Sequence, residues 1–242
     1  MDTVEALTAA VNGPGPITVI IPALNEAGTL PATLTSLQPL RRSGHEIIVV
    51  DGGSHDNTVS ESGPCADKVL HSRAGRAQQM QTGALAAHGR ILWFLHADTL
   101  VPENAAAAIM DALQDSERTW GRFDIRFADT GLLLGLVARL ANLRSRISGI
   151  ATGDQGIFVT RELFNRVHGF PPIALMEDIA LSRALKAYSR PVCLHQQLTT
   201  SARRWKKHGI VRTVVLMWSL RFAYFLGISP DTLARYYHAH RP

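Results

Sequence analysis

The chain has 242 residues, 46% of them hydrophobic and 19% charged, with a formal net charge of +5. That length can bury roughly 70% of the unfolded surface in one core, and the composition is ordinary for a globular protein. Two cysteines, Cys65 and Cys193, exclude a disulfide framework and have no metal-ligand spacing, as expected of a reducing, cytoplasmic compartment.

Residues 1–16 hold two acids, no Lys or Arg, and a Gly-Pro-Gly-Pro stop, so a flexible segment without a signal peptide is expected. Ile17-Thr-Val-Ile-Ile-Pro22 is short, β-branched and continuously apolar, which predicts a strand buried on both faces. Asn25 and Glu26 follow, and Glu26 opens a helix to about Leu37, ended by Pro39. Glu46–Val50 is the second strand and runs into Asp51-Gly-Gly-Ser-His-Asp56, where Ser54 and Asp56 are N-cap candidates for a short helix, Asn57–Ser62. Asp67–His71 is a weak third strand, and Gly75–His88 is a helix closed by Gly89. Arg90–Leu95 is the fourth strand, running into His96-Ala97-Asp98, and Pro102–Asp115 is helical with Pro in its first turn. This alternation marks repeated βαβ units, hence an α/β fold with a mostly parallel sheet.

Beyond Ser116 the pattern changes. Trp120–Phe127 alternates in period two, as a half-buried strand does, and Thr130–Ile147 reads as a helix. Gly153-Asp-Gln-Gly156 is a turn before the short strand Ile157–Thr160. Helices are expected over Arg161–His168, Glu177–Ala187 and Gly209–Gly227, the last long and apolar.

Acidic residues stand where the predicted strands stop. In an open parallel sheet, ligands bind beyond the carboxyl ends of the strands. An acidic crevice there suits a divalent cation, ribose hydroxyls and a nucleobase N–H, with the metal carrying phosphates. Asp51 can accept from a base or ribose, beside Gly53, which lets the backbone come close; alone, it equally reads as an Asx-turn residue. Asp98 can hold Mg²⁺ or Mn²⁺ with diphosphate oxygens, and imidazole makes His96 a poorer partner for Mg²⁺. Alone, Asp98 also reads as a helix cap. Glu177 and Asp178 open a helix, where the macrodipole favours acids; one of them could take a proton from an attacking hydroxyl. Arg76, at a helix start, and Arg203-Arg204-Trp205 could meet phosphate.

From Ser201 onward the net charge is +7, leaving −2 for the other 200 residues. A basic tail implies an anionic contact: substrate phosphate or a lipid surface before nucleic acid, for which no binding fold is recognisable. Over Gly209–Gly227, the cost of Arg212 and Arg221 cancels the apolar gain, so a bilayer span is not expected. A helix apolar nearly all round is usually buried, in the core or against a second copy in a homodimer. The alternative is contact with the inner face of the cell membrane.

Taken in order, these segments resemble family 2 glycosyltransferases over about residues 17–205. The segments are Ile20-Ile-Pro-Ala-Leu-Asn-Glu26, Val49-Val-Asp-Gly-Gly-Ser-His-Asp56, Gly83-Ala-Leu-Ala-Ala-His-Gly89 and Phe94-Leu-His-Ala-Asp98. Gly153–Phe158, Arg161, Phe164, Gly169-Phe170 and Glu177-Asp178 follow. His-Ala-Asp-Thr is similar to a bacterial subgroup associated with radical-SAM and selenium proteins. The resemblance implies the GT-A fold over residues 17–205, with residues 206–242 as a helical extension. It implies transfer of a sugar from a nucleotide-diphosphate sugar to an acceptor hydroxyl, on a lipid or small molecule, with inversion. Carried over by position, Asp178 becomes the general base with Glu177 beside it, and Asp98 and His96 the metal positions for Mg or Mn. Pro22, Asn25, Glu26, Asp51, Gly53, Arg76, Ala97, Asp98, Arg204 and Trp205 become donor contacts. His96 stands where the family has an Asp, and Ser201 where processive members have Gln. A nicotinamide-binding fold is excluded because Pro-Ala-Leu-Asn-Glu replaces its Gly-rich first turn. The remaining alternative is an inactive relative kept as a nucleotide-binding or scaffold protein.

Overall fold

A computed structural model describes residues 15–115, 117–129 and 131–239. Among them, eight strands form one mixed sheet, and helices cover both of its faces. Strands β1 (Ile17–Ala23), β2 (Glu46–Asp51), β3 (Lys68–His71) and β4 (Ile91–Phe94) pair in parallel in the order β3-β2-β1-β4. β7 (Phe158–Thr160) runs antiparallel to both β4 and β6 (Trp120–Phe127). β6 then pairs in parallel with β8 (Val192–Thr200), and the two-residue β5 (Thr99–Leu100) closes the far edge.

Successive strand side chains point to opposite faces. Val19 and Ile21 of β1 therefore enter one core cluster, while Ile20 enters the other. The first cluster is roofed by α1 (Leu30–Arg42) and α4 (Ala105–Ala112), whose buried residues recur at helical spacing: Leu30, Leu34 and Leu37 on α1, Ala105, Ile109 and Ala112 on α4. The second is roofed by α3 (Arg76–Ala86), α6 (Arg161–Arg166) and α7 (Glu177–Lys186). α2 (Thr58–Ser62) lies between β2 and β3. α5 (Leu132–Ser148) packs on β6, where Asn142 exchanges two hydrogen bonds with the backbone of Ile125. α8 (Arg203–His208), α9 (Ile210–Phe225) and α10 (Pro230–Ala239) follow, and Leu220, Leu233 and Tyr237 pack on Met176 and Ile179 at the start of α7.

Several expectations shift. Residues 26–29 form a turn, with the Glu26 carbonyl accepting from Thr29 and Leu30, so α1 starts at Leu30 rather than Glu26. It runs through Pro39 to Arg42, because Pro39 forfeits only the bond to the exposed Thr35. β8 has no alternating apolar pattern; a long pairing with β6 makes it a strand, with a register shift at Phe123/Asp124. The Gly209–Gly227 helix is not enclosed by the core: Thr213 and Leu220 are its buried residues, and its opposite side is open.

Candidate active site

The three parallel strands β1, β2 and β4 all end at one rim, and the loops leaving them are tied together. Asn25 holds a left-handed backbone (φ 55°), donates its N–H to Ser54 Oγ (2.8 Å) and accepts from the His55 N–H (2.9 Å) through Oδ1. The Glu26 N–H donates to Thr58 Oγ1 at 2.8 Å. Beneath them, buried Gln79 of α3 donates to both the Ala23 and Val50 carbonyls, each at 2.8 Å. One amide group thus pins the ends of β1 and β2 together.

Asp51 is buried at the end of β2. Its carboxylate accepts from the Gly53 N–H (2.9 Å) and Ser54 N–H (3.1 Å), and His71 Nδ1 lies 3.4 Å away. Burial would push Asp51 up, but the hydrogen bonds from Ser54, Gly53 and His71 outweigh it and hold the group below its ordinary value. Asp51 is therefore an Asx-turn residue whose turn also fixes an ionised carboxylate at the rim. Gly53 takes φ +92°, with open space where a side chain would point. Pro22 is buried opposite Val50 in the β1–β2 ladder. Buried Ala97 offers its carbonyl to Thr33 Oγ1 at 2.9 Å.

The second half of the site centres on Asp98, on the loop after β4. Burial raises its pKa; His96 and Arg203 oppose the rise, while the like charges of Asp154 and Glu26 add to it. Those carboxylates come from three loops. His96 Nδ1 stands 3.0 Å from Asp154 Oδ1, and the His96 ring sits against Gly153. The Gly153 N–H in turn donates to Asp178 Oδ2 at 2.8 Å, so a continuous contact path runs from His96 to Asp178. Asp178 is further held by the Ile179 N–H on Oδ1 (2.7 Å). Its neighbour Glu177 is buried, and burial with the Asp178 charge pushes its carboxyl up, against the pull of Arg76 and His96. Desolvation would lower the Arg76 pKa, but Glu177, Asp154 and Asp178 outweigh it and raise it. Met176, in a left-handed conformation, turns the chain into α7 and sets both carboxylates at the helix start.

Arg76, His96, Asp98, Glu177 and Asp178 are thus brought into one cluster, with Asn25, Glu26, Asp51 and Gly53 along the same rim. Trp205 is not among them: it packs edge-on against Phe127 at 5.3 Å, beneath α5. The Arg204 side chain lies outside the described residues. One residue of the cluster, Asp154, is not singled out by the sequence reading. Asp154 sits inside what reads as a mere turn, where Gly153 and Gly156 were its only signal. Arg203, expected from the sequence as a phosphate contact, donates to Glu26 Oε2 at 3.1 Å.

Among the described residues, no three His, Cys, Asp or Glu side chains form a metal cage by themselves. A cation would therefore need oxygens from a bound diphosphate as well. The donor chemistry fits one. Asp98 and Asp154 offer hard oxygen donors, and Asp98, raised first by burial and further by the charges of Asp154 and Glu26, is a carboxyl whose ionised form a divalent cation would favour.

A sheet of this order, with an acidic rim assembled from the loops after β1, β2 and β4, defines the GT-A class of nucleotide-sugar transferases. The mannosyltransferase PcManGT from Pyrobaculum calidifontis, solved with GDP-Man and Mn²⁺, superposes with a TM-score of 0.62 at 21% identity, covering 94% of this chain and 69% of that one. Glucosyl-3-phosphoglycerate synthase from Mycobacterium tuberculosis, solved with Mn²⁺ and UDP, gives 0.59 at 21% identity over 82% and 75% of the two chains. S. aureus TarS with UDP gives 0.62 at 17% over 77% and 60%. Residues 18–154 match the Glycosyl transferase family 2 domain, and the chain belongs to that family. An uncharacterised glycosyltransferase of M. tuberculosis is 32% identical over 114 residues, 43% of this chain and 44% of the relative. An uncharacterised M. bovis glycosyltransferase is 34% identical over 83 residues, 34% and 36% of the two chains. The chain thus aligns with less than half the length of these curated relatives.

Proposed function

We propose that the protein transfers a sugar from a nucleotide-diphosphate sugar to an acceptor hydroxyl, on a lipid or a small molecule, with inversion and with Asp178 as general base. The observation that carries this reading is the contact path Asp154–His96–Gly153–Asp178, with Asp98 near enough to feel the charges of His96 and Asp154; it supports donor-side carboxylates and a base candidate sharing one crevice. The loops of Asn25, Glu26, Asp51 and Gly53 receive the nucleoside. Asp98, with Asp154 or His96, would hold Mg²⁺ or Mn²⁺, which supplies charge neutralisation for the leaving diphosphate. Arg76 adds a fixed positive charge on the same side. Asp178, whose two oxygens are each fixed by one backbone N–H, retains further lone pairs and removes the acceptor proton. Asp178 acting as a base toward the acceptor hydroxyl fits a single displacement. The His96-Ala-Asp-Thr99 stretch supports a place in the bacterial subgroup associated with radical-SAM and selenium proteins.

Calorimetry of UDP and GDP binding with and without Mn²⁺, paired with donor turnover, tests this. The expected result is Mn²⁺-dependent nucleotide binding that Asp98→Asn removes. Asp178→Asn should keep that binding and lose turnover; normal turnover in it removes Asp178 from the base role. Binding without turnover in the unaltered chain favours the inactive alternative.

A further inference from the structure

We propose that the outer sides of α5 and α9 form a docking surface for an anionic lipid bilayer. The proposal is independent of the catalytic reading. On α5, Leu134, Ala138 and Ser145 face inward, while Leu136, Leu140, Leu143 and Ile147 are 50–69% exposed. On α9, Thr213 and Leu220 face inward, while Val211, Val215, Trp218, Phe222 and Phe225 are 58–71% exposed. At 100° per residue, each exposed row is centred about half a turn from its helix's buried row. Both helices therefore present apolar side chains directly outward, where a solvated helix carries polar ones. The two helices approach each other: Ile210 at the start of α9 joins the apolar cluster that holds Leu134 and Ala138 of α5, and the Arg144 guanidinium of α5 feels the charge of Arg221 on α9. Exposed apolar surface on this scale marks an interaction site.

Charge decides the occupant. Neither helix contains an Asp or Glu, and no acid occurs between Ile179 and Pro230. Exposed Arg139, Lys207 and Arg212 flank the apolar rows without a carboxylate partner among the described residues. A two-fold dimer through this face would set cations against cations, because an isologous interface meets its own copy. Anionic headgroups complement that charge, and long basic side chains can reach them while the apolar rows enter the acyl boundary. No helix among the described residues is long and apolar enough to cross a membrane, so the contact is with one leaflet.

The test is flotation of the full chain with vesicles of phosphatidylcholine alone and of phosphatidylcholine with phosphatidylglycerol, at low and physiological salt. Binding should require the anionic lipid and weaken severalfold as salt rises. Phe222→Ser with Phe225→Ser, and Leu136→Ser with Leu140→Ser, should each lower partition about tenfold without changing helicity or Tm, since each removes two apolar insertions. Arg139→Glu with Arg212→Glu should abolish the preference for anionic vesicles. No bound fraction on anionic vesicles at low salt overturns the proposal, as does partition unchanged in the serine variants. A dimer in solution that the same serine variants disperse assigns the face to a second copy and overturns it as well.

Discussion

The contact between His96 and Gly153 makes a sharp prediction, because a single methyl group should break the crevice without touching any carboxylate. A Cβ added at Gly153 would stand 2.9 Å from His96 Cε1 and closer still to Nε2, where carbon contacts settle at about 3.5–4.0 Å. Either the imidazole or the 153 backbone must retreat by about 1 Å. The imidazole has little room, since its Nδ1 is held 3.0 Å from Asp154 and it is largely buried. The backbone is equally constrained, because its N–H is the one Asp178 accepts. Overpacking of this kind costs about 1–3 kcal/mol, and at about 2–4 °C per kcal/mol for a chain this size Gly153→Ala should melt several degrees lower. A shift of about 1 Å in a reacting group can cost on the order of 10²-fold in rate, so donor turnover should fall by about that factor. Differential scanning fluorimetry and nucleotide-release kinetics read the two effects. A double-mutant cycle isolates the cause: His96→Ala empties the space, so Gly153→Ala should cost far less stability in that background. Unaltered turnover and Tm in Gly153→Ala, or equal losses with and without the imidazole, would refute the argument.

Three further outcomes follow from packing and titration. Gln79→Leu removes the amide that bridges the Ala23 and Val50 carbonyls, leaving Ala23 with the Gly52 N–H alone; at about 0.5–1.5 kcal/mol for each bond lost it should lower Tm and weaken nucleotide binding as the rim loosens. Gly83→Ala drives a Cβ to 2.5 Å from Ile20 Cγ2 and 3.1 Å from Val50 Cγ2, so it should cost about 1–3 kcal/mol in urea unfolding. Residual folded enzyme should retain its nucleotide affinity. Burial would raise Glu46, but hydrogen bonds from Thr18, His88 and Lys68 pull it from 4.5 to about 2. A depressed carboxylate stabilises fully above its unfolded pKa and loses that stabilisation as pH falls through the folded one. Glu46 should therefore contribute a slope to stability between about pH 4.5 and 2. In Glu46→Gln, urea midpoints across that window should flatten relative to the parent chain.

How far the sequence alone reaches depends on whether a residue's neighbours are near it in the chain. β1, β2 and β4 are continuous apolar runs because both of their faces are covered, so period and composition reveal them directly. β8 is not legible that way: Val192–Thr200 is polar, and its strand conformation comes from the partner β6, some seventy residues earlier. The same division runs through the site. Asp51, Asp98 and Asp178 stand out because each follows or opens a regular element. Asp154 does not, since its role depends on His96 reaching across from another loop. Some motif residues carry a different load from the chemistry their company suggests. Arg161 donates twice to the Gly89 carbonyl (2.8 and 2.6 Å), and a Cβ at Gly89 would meet Pro16 O and Thr18 N at 2.6 Å. Gly89 and Arg161 therefore fasten β1, β4 and α6 together beneath the rim. Their part in function is to hold the strand ends at one level, so that carboxylates from separate loops face a common space.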